Sequence, residues 1–371
     1  MSSDDHREFD LATMEFVARL KNGHTLFQDV WLEHNYDQPV GFYARPLDRK
    51  WVVINTALPN VKVGDVLSKI DGIEVETYFR QHQKYISASS EAAQRHNFFL
   101  LPYLLPLRFI VTLEDGRKIN VDRSANNSAP TNTSAAGRWL RQNTVAYIQI
   151  PSFATPLSEQ KALDLVGQFQ KARTIIFDVR NNEGGLMPRR LLQALMDKTY
   201  RDWKQSTPIH ISALELSTKM NQKGQQKDMS DFDKGYLAAS EAYFGGSELS
   251  WGGELVSPQR PIFHGQLIFL VDGGCASACE ALVGPFKNNL RAILVGETTE
   301  GTAGPAYMID LGDGMQLGIA ATRQYFPDGS EFEGIGINPD IEVHPTIDDL
   351  RKGRDVILDK AMELASRQNA N

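Results

Sequence analysis

Three apolar runs, TIIFDV at 174–179, QLIFLV at 266–271 and RAILVG at 291–296, constrain this chain more than anything else in it. Unbroken runs of branched and aromatic residues suit strands buried on both faces, the usual state of a parallel sheet. Helical patterns separate them: SEQKALDLVGQFQKA, MPRRLLQALMDK and SACEALVGPFKNN. Parallel neighbours need crossover connections, so the alternation predicts an α/β unit with a mainly parallel sheet over residues 138–371. TVAYIQIPSF and MQLGIAATRQYF read as further strands of this unit. The stretch near 200–258 breaks the alternation. Its SEAYFGGSELSWGGE is polar, aromatic and rich in glycine, and reads as a cap over a site.

Upstream the pattern differs. Residues 1–38 form a helical segment: Phe9, Ala12, Phe16, Val17 and Leu20 recur at helical spacing, Asn22-Gly23 is a stop signal, and His24 follows in a loop. Residues 39–123 are β-rich, with VGFYARPL, KWVVINT, VKVGDVLSKIDGIEV and a hairpin around Asp115-Gly116. TYFRQHQKYISASSEAAQRHNFFLLPYLL reads as a largely helical insertion in it. The phrase VGDVLSKIDGIEV resembles a signature of PDZ domains, which bind an extended peptide at a sheet edge; an unrelated small β-barrel is the alternative. SANNSAPTNTSAAG, at 124–137, is a linker, being small, polar and aperiodic.

Bulk properties exclude some functions. A net charge of -7, with only short basic clusters such as PRRLL and LRKGR, argues against a nucleic-acid partner. No apolar run is long enough to predict a membrane span. MSSDDHREFD lacks the basic and apolar segments of a signal peptide, so either Met1 is the true start of a cytoplasmic protein or a leader has been removed. The two cysteines, Cys275 and Cys279, are read as buried thiols: a helical spacing of four disfavours a disulfide, and two ligands alone make no zinc site. No cofactor and no metal are expected, and oligomeric state is not legible.

Three phrases at predicted strand ends carry polar chemistry, where open α/β sheets place their sites. FDVRNNEGGL, 177–186, joins Asp178, Arg180 and Asn182, suited to fixing a loop, with Gly184 and Gly185, whose N–H groups suit an oxyanion. DGGCASACE, 272–280, sets Ser277 at a strand-to-helix junction, where helix dipoles favour developing negative charge and the Ala278 N–H is a second donor. A serine helix cap in a buried turn is the plainer reading. FPDGSEFEGIGINPDIEV, 326–343, offers Glu331 and Glu333 to orient a histidine.

Together these phrases resemble the S41 peptidase family, which includes tail-specific (C-terminal processing) proteases and the tricorn protease core. The resemblance rests on GHT at 23–25, D-x-R-x-N-x-G-G at 178–185, CASACE at 275–280, GETTEG at 296–301 and EGIGINPD at 333–340. It implies a ClpP/crotonase-like core with a PDZ-like domain, and a serine endopeptidase acting on peptides or unfolded, extended polypeptides. It also implies Ser277 as nucleophile. Tail-specific members use a lysine base where this chain has Thr302, so the Ser–Lys dyad is excluded. Tricorn-like members use serine, histidine and glutamate. On that pattern His24 is the base and Glu333 its orienting acid, with Glu331 as fallback; His210 and His264 lack motif context. Family resemblance also implies an extracytoplasmic location if a leader was removed. The alternative reading is an inactive relative that binds a peptide or hydrophobic ligand. An acyl-CoA enzyme is disfavoured by the absence of a basic patch.

Overall fold

The computed structural model describes residues 3–125, 134–208, 248–258 and 261–367. His210, most of the linker and the middle of the expected cap fall outside the described residues. The three apolar runs are adjacent strands of one sheet. Its order is Ile341–Glu342, Ala292–Gly296, Gln266–Val271, Thr174–Asp178, Val145–Gln149, Ala136–Arg141. Every pairing is parallel except the last, a hairpin.

The reason for unbroken apolar runs lies in the pleat, which sends successive side chains to opposite faces. Ile175, Phe177, Leu267, Phe269 and Val271 join one core, against the helices Pro156–Gln168, Arg189–Leu195 and Ala278–Asn288. Ile176, Ile268 and Leu270 join the other, under Ile357, Ala361 and Ala365 of the C-terminal helix Val356–Arg367. Both faces are covered, so no position along these strands tolerates a polar residue facing water.

The β-rich segment forms antiparallel strands Phe42–Leu47, Lys50–Thr56, Val66–Ile70, Arg108–Leu113 and Lys118–Asp122. Its core stacks Trp51, Phe79, Phe98 and Phe99, the phenylalanines being supplied by the insertion, which contains helices Val75–His82 and Glu91–Asn97. Fully buried Arg123 donates to the carbonyls of Tyr36, Gln38 and Leu105, fastening the N-terminal segment to the end of this sheet.

Two expectations are corrected here. MQLGIAATRQYF does not extend the parallel sheet: Met315–Ala320 pairs antiparallel with Leu26–Asp29 and with Ala306–Gly312, and Arg323–Tyr325 joins another small sheet with Lys204–Pro208. The chain just after His24 is thereby pinned to the C-terminal part of the chain. The first helix runs Ser3–Ala18, but its buried face is Asp10, Met14, Val17 and Ala18, while Phe9, Phe16 and Leu20 point outward. Periodicity counts apolar residues only; here the contact face includes a carboxylate that meets His6 and Asp29.

Candidate active site

Ser277 sits at the mouth of the helix Ala278–Asn288, in a backbone conformation (φ 54°, ψ -117°) that L-residues rarely adopt. Such strain, of order 1–3 kcal/mol, persists only where the surroundings over-determine it. They do so through hydrogen bonds to neighbouring strand ends. Ser277 N–H donates to the Thr302 carbonyl (2.7 Å), Ala276 N–H to the Asn182 carbonyl (3.0 Å), and Gly274 N–H to Asp272 Oδ1 (3.0 Å). The residues on either side are buried, whereas Ser277 is partly exposed. Its side chain makes no capping bond, so the plainer reading as a helix cap does not describe it.

The FDVRNNEGGL loop is held as its polar residues suggest. Arg180 forks onto Asp178 (2.9 and 2.6 Å) and reaches Asp355 (2.9 and 2.8 Å), and Asn182 Nδ2 donates to the Ile150 carbonyl. Gly184 (φ 95°) lies against the Ser277 junction so closely that a Cβ there would come within 2.7 Å of Ala278 N and Ser277 Cβ. Its amide, however, donates to Asn182 Oδ1 at 2.9 Å. That amide is thus engaged within its own loop, while the absence of a Cβ at Gly184 permits the close approach to the Ser277 junction.

His24 and Ser277 line one cavity of about 450 Å³, together with Ala276, Thr302, Glu183 and Glu300. Gly23 allows the approach: a Cβ on it would meet the Thr302 side chain at 2.6 Å. The segment is further tied down by Asn22, whose Oδ1 accepts His24 N–H (2.9 Å) and whose Nδ2 donates to Glu333 Oε1 (3.0 Å). Ser89 Oγ accepts Gly23 N–H (3.1 Å) and Thr302 Oγ1–H (3.0 Å) and donates to Glu333 Oε1 (2.8 Å). Among the described residues, two buried atoms of this network have no hydrogen-bond partner, His24 Nδ1 and Glu333 Oε2. Burial lowers the His24 pKa below the ordinary 6.5, a hydrogen bond to the Ala303 backbone opposing it. Burial raises that of Glu333, against Ser89 and Ala303. Glu331 and His264 are exposed and do not line this cavity.

Asn22 and Ser89 were not singled out from sequence. Asn22 was read as a helix stop and Ser89 lay inside an insertion without motif context; only tertiary contact gives either a role. Thr302, read as the residue that replaces a lysine, proves structural: its carbonyl holds Ser277, its amide donates to Glu280 Oε2 (2.9 Å), and it is buried.

The cysteine reading is overturned. Cys275 and Cys279 form a disulfide, with Cα atoms 5.4 Å apart, inside the bridging range. The expectation assumed both on a helix. Cys275 instead lies in the turn before it, and the unusual backbone at Ser277 bends the chain so that the two face each other.

The profile of peptidase family S41 matches residues 144–343. A carboxy-terminal-processing protease of Bartonella bacilliformis is 36% identical over 92 residues, 25% of this chain and 21% of that protein. A carboxyl-terminal-processing protease of Synechocystis sp. is 29% identical over 198 residues, 53% of this chain and 37% of that protein. The matches thus span well under half the length of these relatives. Among solved structures, mature CPAF complexed with lactacystin superposes with a TM-score of 0.71 at 16% identity, covering 96% of this chain and 88% of that one. At that identity the likeness establishes the fold, a mixed α/β arrangement.

Proposed function

Because the chain belongs to peptidase family S41, we propose that it is a serine endopeptidase that cleaves extended or unfolded polypeptides through Ser277, His24 and Glu333. In this reading the core has the ClpP/crotonase-like arrangement, residues 39–123 are a PDZ-like domain, and 1–38 deliver the base to the catalytic region 138–371. His24 takes the Ser277 proton as Oγ attacks the peptide carbonyl, and the amides of Gly185 and Ala278 bond the oxyanion. Collapse expels the amine, which receives that proton from the imidazolium. Water then attacks the acyl-enzyme with His24 again as base. Pairing of the unpartnered His24 Nδ1 with Glu333 Oε2 would stabilise the imidazolium. The observation that carries this reading is that Ser277 and His24, far apart in sequence, line one cavity. An inactive binding relative has no need of a strained serine and a histidine lining one cavity.

A fluorophosphonate probe tests it: the adduct is expected on Ser277 by peptide mass mapping, and to be absent in Ser277→Ala. The reactive form of His24 is neutral, and burial favours that form. The labelling rate should therefore rise with pH through a midpoint below 6.5. No adduct, or an adduct on another residue, sinks the proposal.

The substrate side of the cavity is acidic. Glu183 and Glu300 line it, and burial pushes Glu300 up to about 7, with Glu183 and Glu333 adding to the effect against a bond from Asn97. A lysine or arginine side chain of the peptide would supply the missing countercharge. Peptides with a basic residue should exceed neutral analogues in kcat/KM, increasingly as pH rises through about 7. Glu300→Gln should remove roughly 10-fold or more of that preference, the value of one hydrogen bond to a charged group. Equal loss for neutral peptides would rule out recognition of charge.

A further inference from the structure

The N-terminal helix meets the strand after His24 through a cluster that the proposed chemistry does not use. His6 Nε2 is 2.8 Å from Asp29 Oδ2 and 3.8 Å from Asp10 Oδ1, and one donor atom from each residue lies within 4.8 Å of the others. Both carboxylates are inside the protein, Asp10 at 0% and Asp29 at 1% exposure. Among the described residues, neither oxygen of Asp10 has a hydrogen-bond donor. A buried carboxylate without donors is strongly unfavourable and requires neutralisation by a proton or a cation.

We propose that His6, Asp10 and Asp29 bind one first-row divalent cation of the zinc type, which clamps the helix Ser3–Ala18 to the strand Leu26–Asp29. One imidazole nitrogen and two carboxylates match the borderline preference of zinc, and their two negative charges balance its two positive ones. Three protein ligands leave a fourth position for water. Tetrahedral ligation at about 2.0–2.2 Å sets ligand atoms roughly 3.3–3.6 Å apart, between the two His6 distances. The surroundings orient the ligands as metal sites require. The Trp31 backbone N–H holds Asp29 Oδ1 at 2.8 Å, so that Oδ2, which now meets His6 Nε2, is the oxygen that would turn to the ion, and the Trp31 ring stacks on His6 with centroids 4.2 Å apart. Asp29 also lines the cavity shared by Ser277 and His24, which gives the ion a route in. Calcium, which requires six or more oxygens, is excluded by this donor set.

The competing occupant is a proton shared between the two carboxylates; burial and Asp29 both raise the Asp10 pKa. The test is isothermal titration of the chelator-stripped full chain with zinc chloride, carried out on Ser277→Ala so that proteolysis plays no part. One zinc per chain is expected, with a melting temperature that climbs as free zinc exceeds Kd. His6→Ala and Asp10→Asn should each weaken binding by at least about 10- to 100-fold, the loss that even outer-shell changes produce. Asp10→Asn preserves shape, and its melting curve without metal verifies folding. No zinc binding, binding unchanged by either substitution, or calcium binding equally well would each overturn the site.

Discussion

Ser277→Ala is expected to lower kcat/KM for a peptide substrate by about 10⁴- to 10⁶-fold, the range over which removing a nucleophile or its base leaves only oxyanion binding. His24→Ala should fall nearly as far. The double variant should be no worse than either single one, since the two groups act as a unit. Lys287→Ala should stay within about 2-fold of the parent. Its ammonium is engaged with Asp340 at 2.7 Å, a pair worth little because it is partly solvated. Ser277→Gly separates chemistry from architecture. Glycine accepts a φ of 54° without strain, so relief of roughly 1–3 kcal/mol, less about 0.5–1 of extra chain entropy in the unfolded state, should leave the inactive variant about 1 kcal/mol more stable. Progress curves and denaturant midpoints read both effects. A His24→Ala enzyme at full speed would remove the base from the scheme, and an active Ser277→Ala would remove the nucleophile.

Much of this was legible because some physical constraints are local. A strand covered on both faces must be apolar throughout, so TIIFDV and QLIFLV declare their place in a parallel sheet before any contact is known. The small-residue junction around Ser277 is local in the same way. Other features are not. The strand Leu26–Asp29 owes its existence to Met315–Ala320, and four residues carry no periodicity of their own. Of the apolar face expected on the first helix only Val17 is buried, because Asp10 packs inward against partners that no hydrophobicity pattern identifies. The disulfide was rejected on helical geometry that Cys275 does not have. Glu331 and Glu333 stand two residues apart in one phrase, and spacing says nothing of their surroundings; only tertiary contact leaves one exposed and bonds the other to Asn22 and Ser89.

Glu280 ties these parts together, and its replacement should have the largest effect on stability. It is fully buried in the first turn of the helix Ala278–Asn288 and accepts from Thr299 Oγ1–H, Gly301 N–H (2.8 Å) and Thr302 N–H (2.9 Å). Thr302 in turn holds Ser277 by its carbonyl, and the Gly301 carbonyl accepts Gly334 N–H at 2.8 Å, next to Glu333. Glu280→Ala would orphan three donors and leave a cavity, an expected loss of about 3–5 kcal/mol. Glu280→Gln keeps the shape but turns an N–H toward one of the backbone amides, so about 1–3 kcal/mol is expected. The pH dependence identifies the carboxyl. Burial pushes Glu280 up to about 8 against its donors, so the folded state binds its proton more tightly than the unfolded state, whose value is near 4.5. Its contribution is therefore complete below about 4.5 and lost as pH rises through about 8. Buried His96, lowered to about 4 by burial and Arg45, acts in the opposite sense: its contribution is complete above 6.5 and lost as pH falls toward 4. Denaturant titrations of the parent and Glu280→Gln across this range cancel the histidine, and their difference should shrink steadily from about pH 5 to pH 8. A difference independent of pH would mean that Glu280 is ionised throughout, bonded by its three donors strongly enough to offset burial.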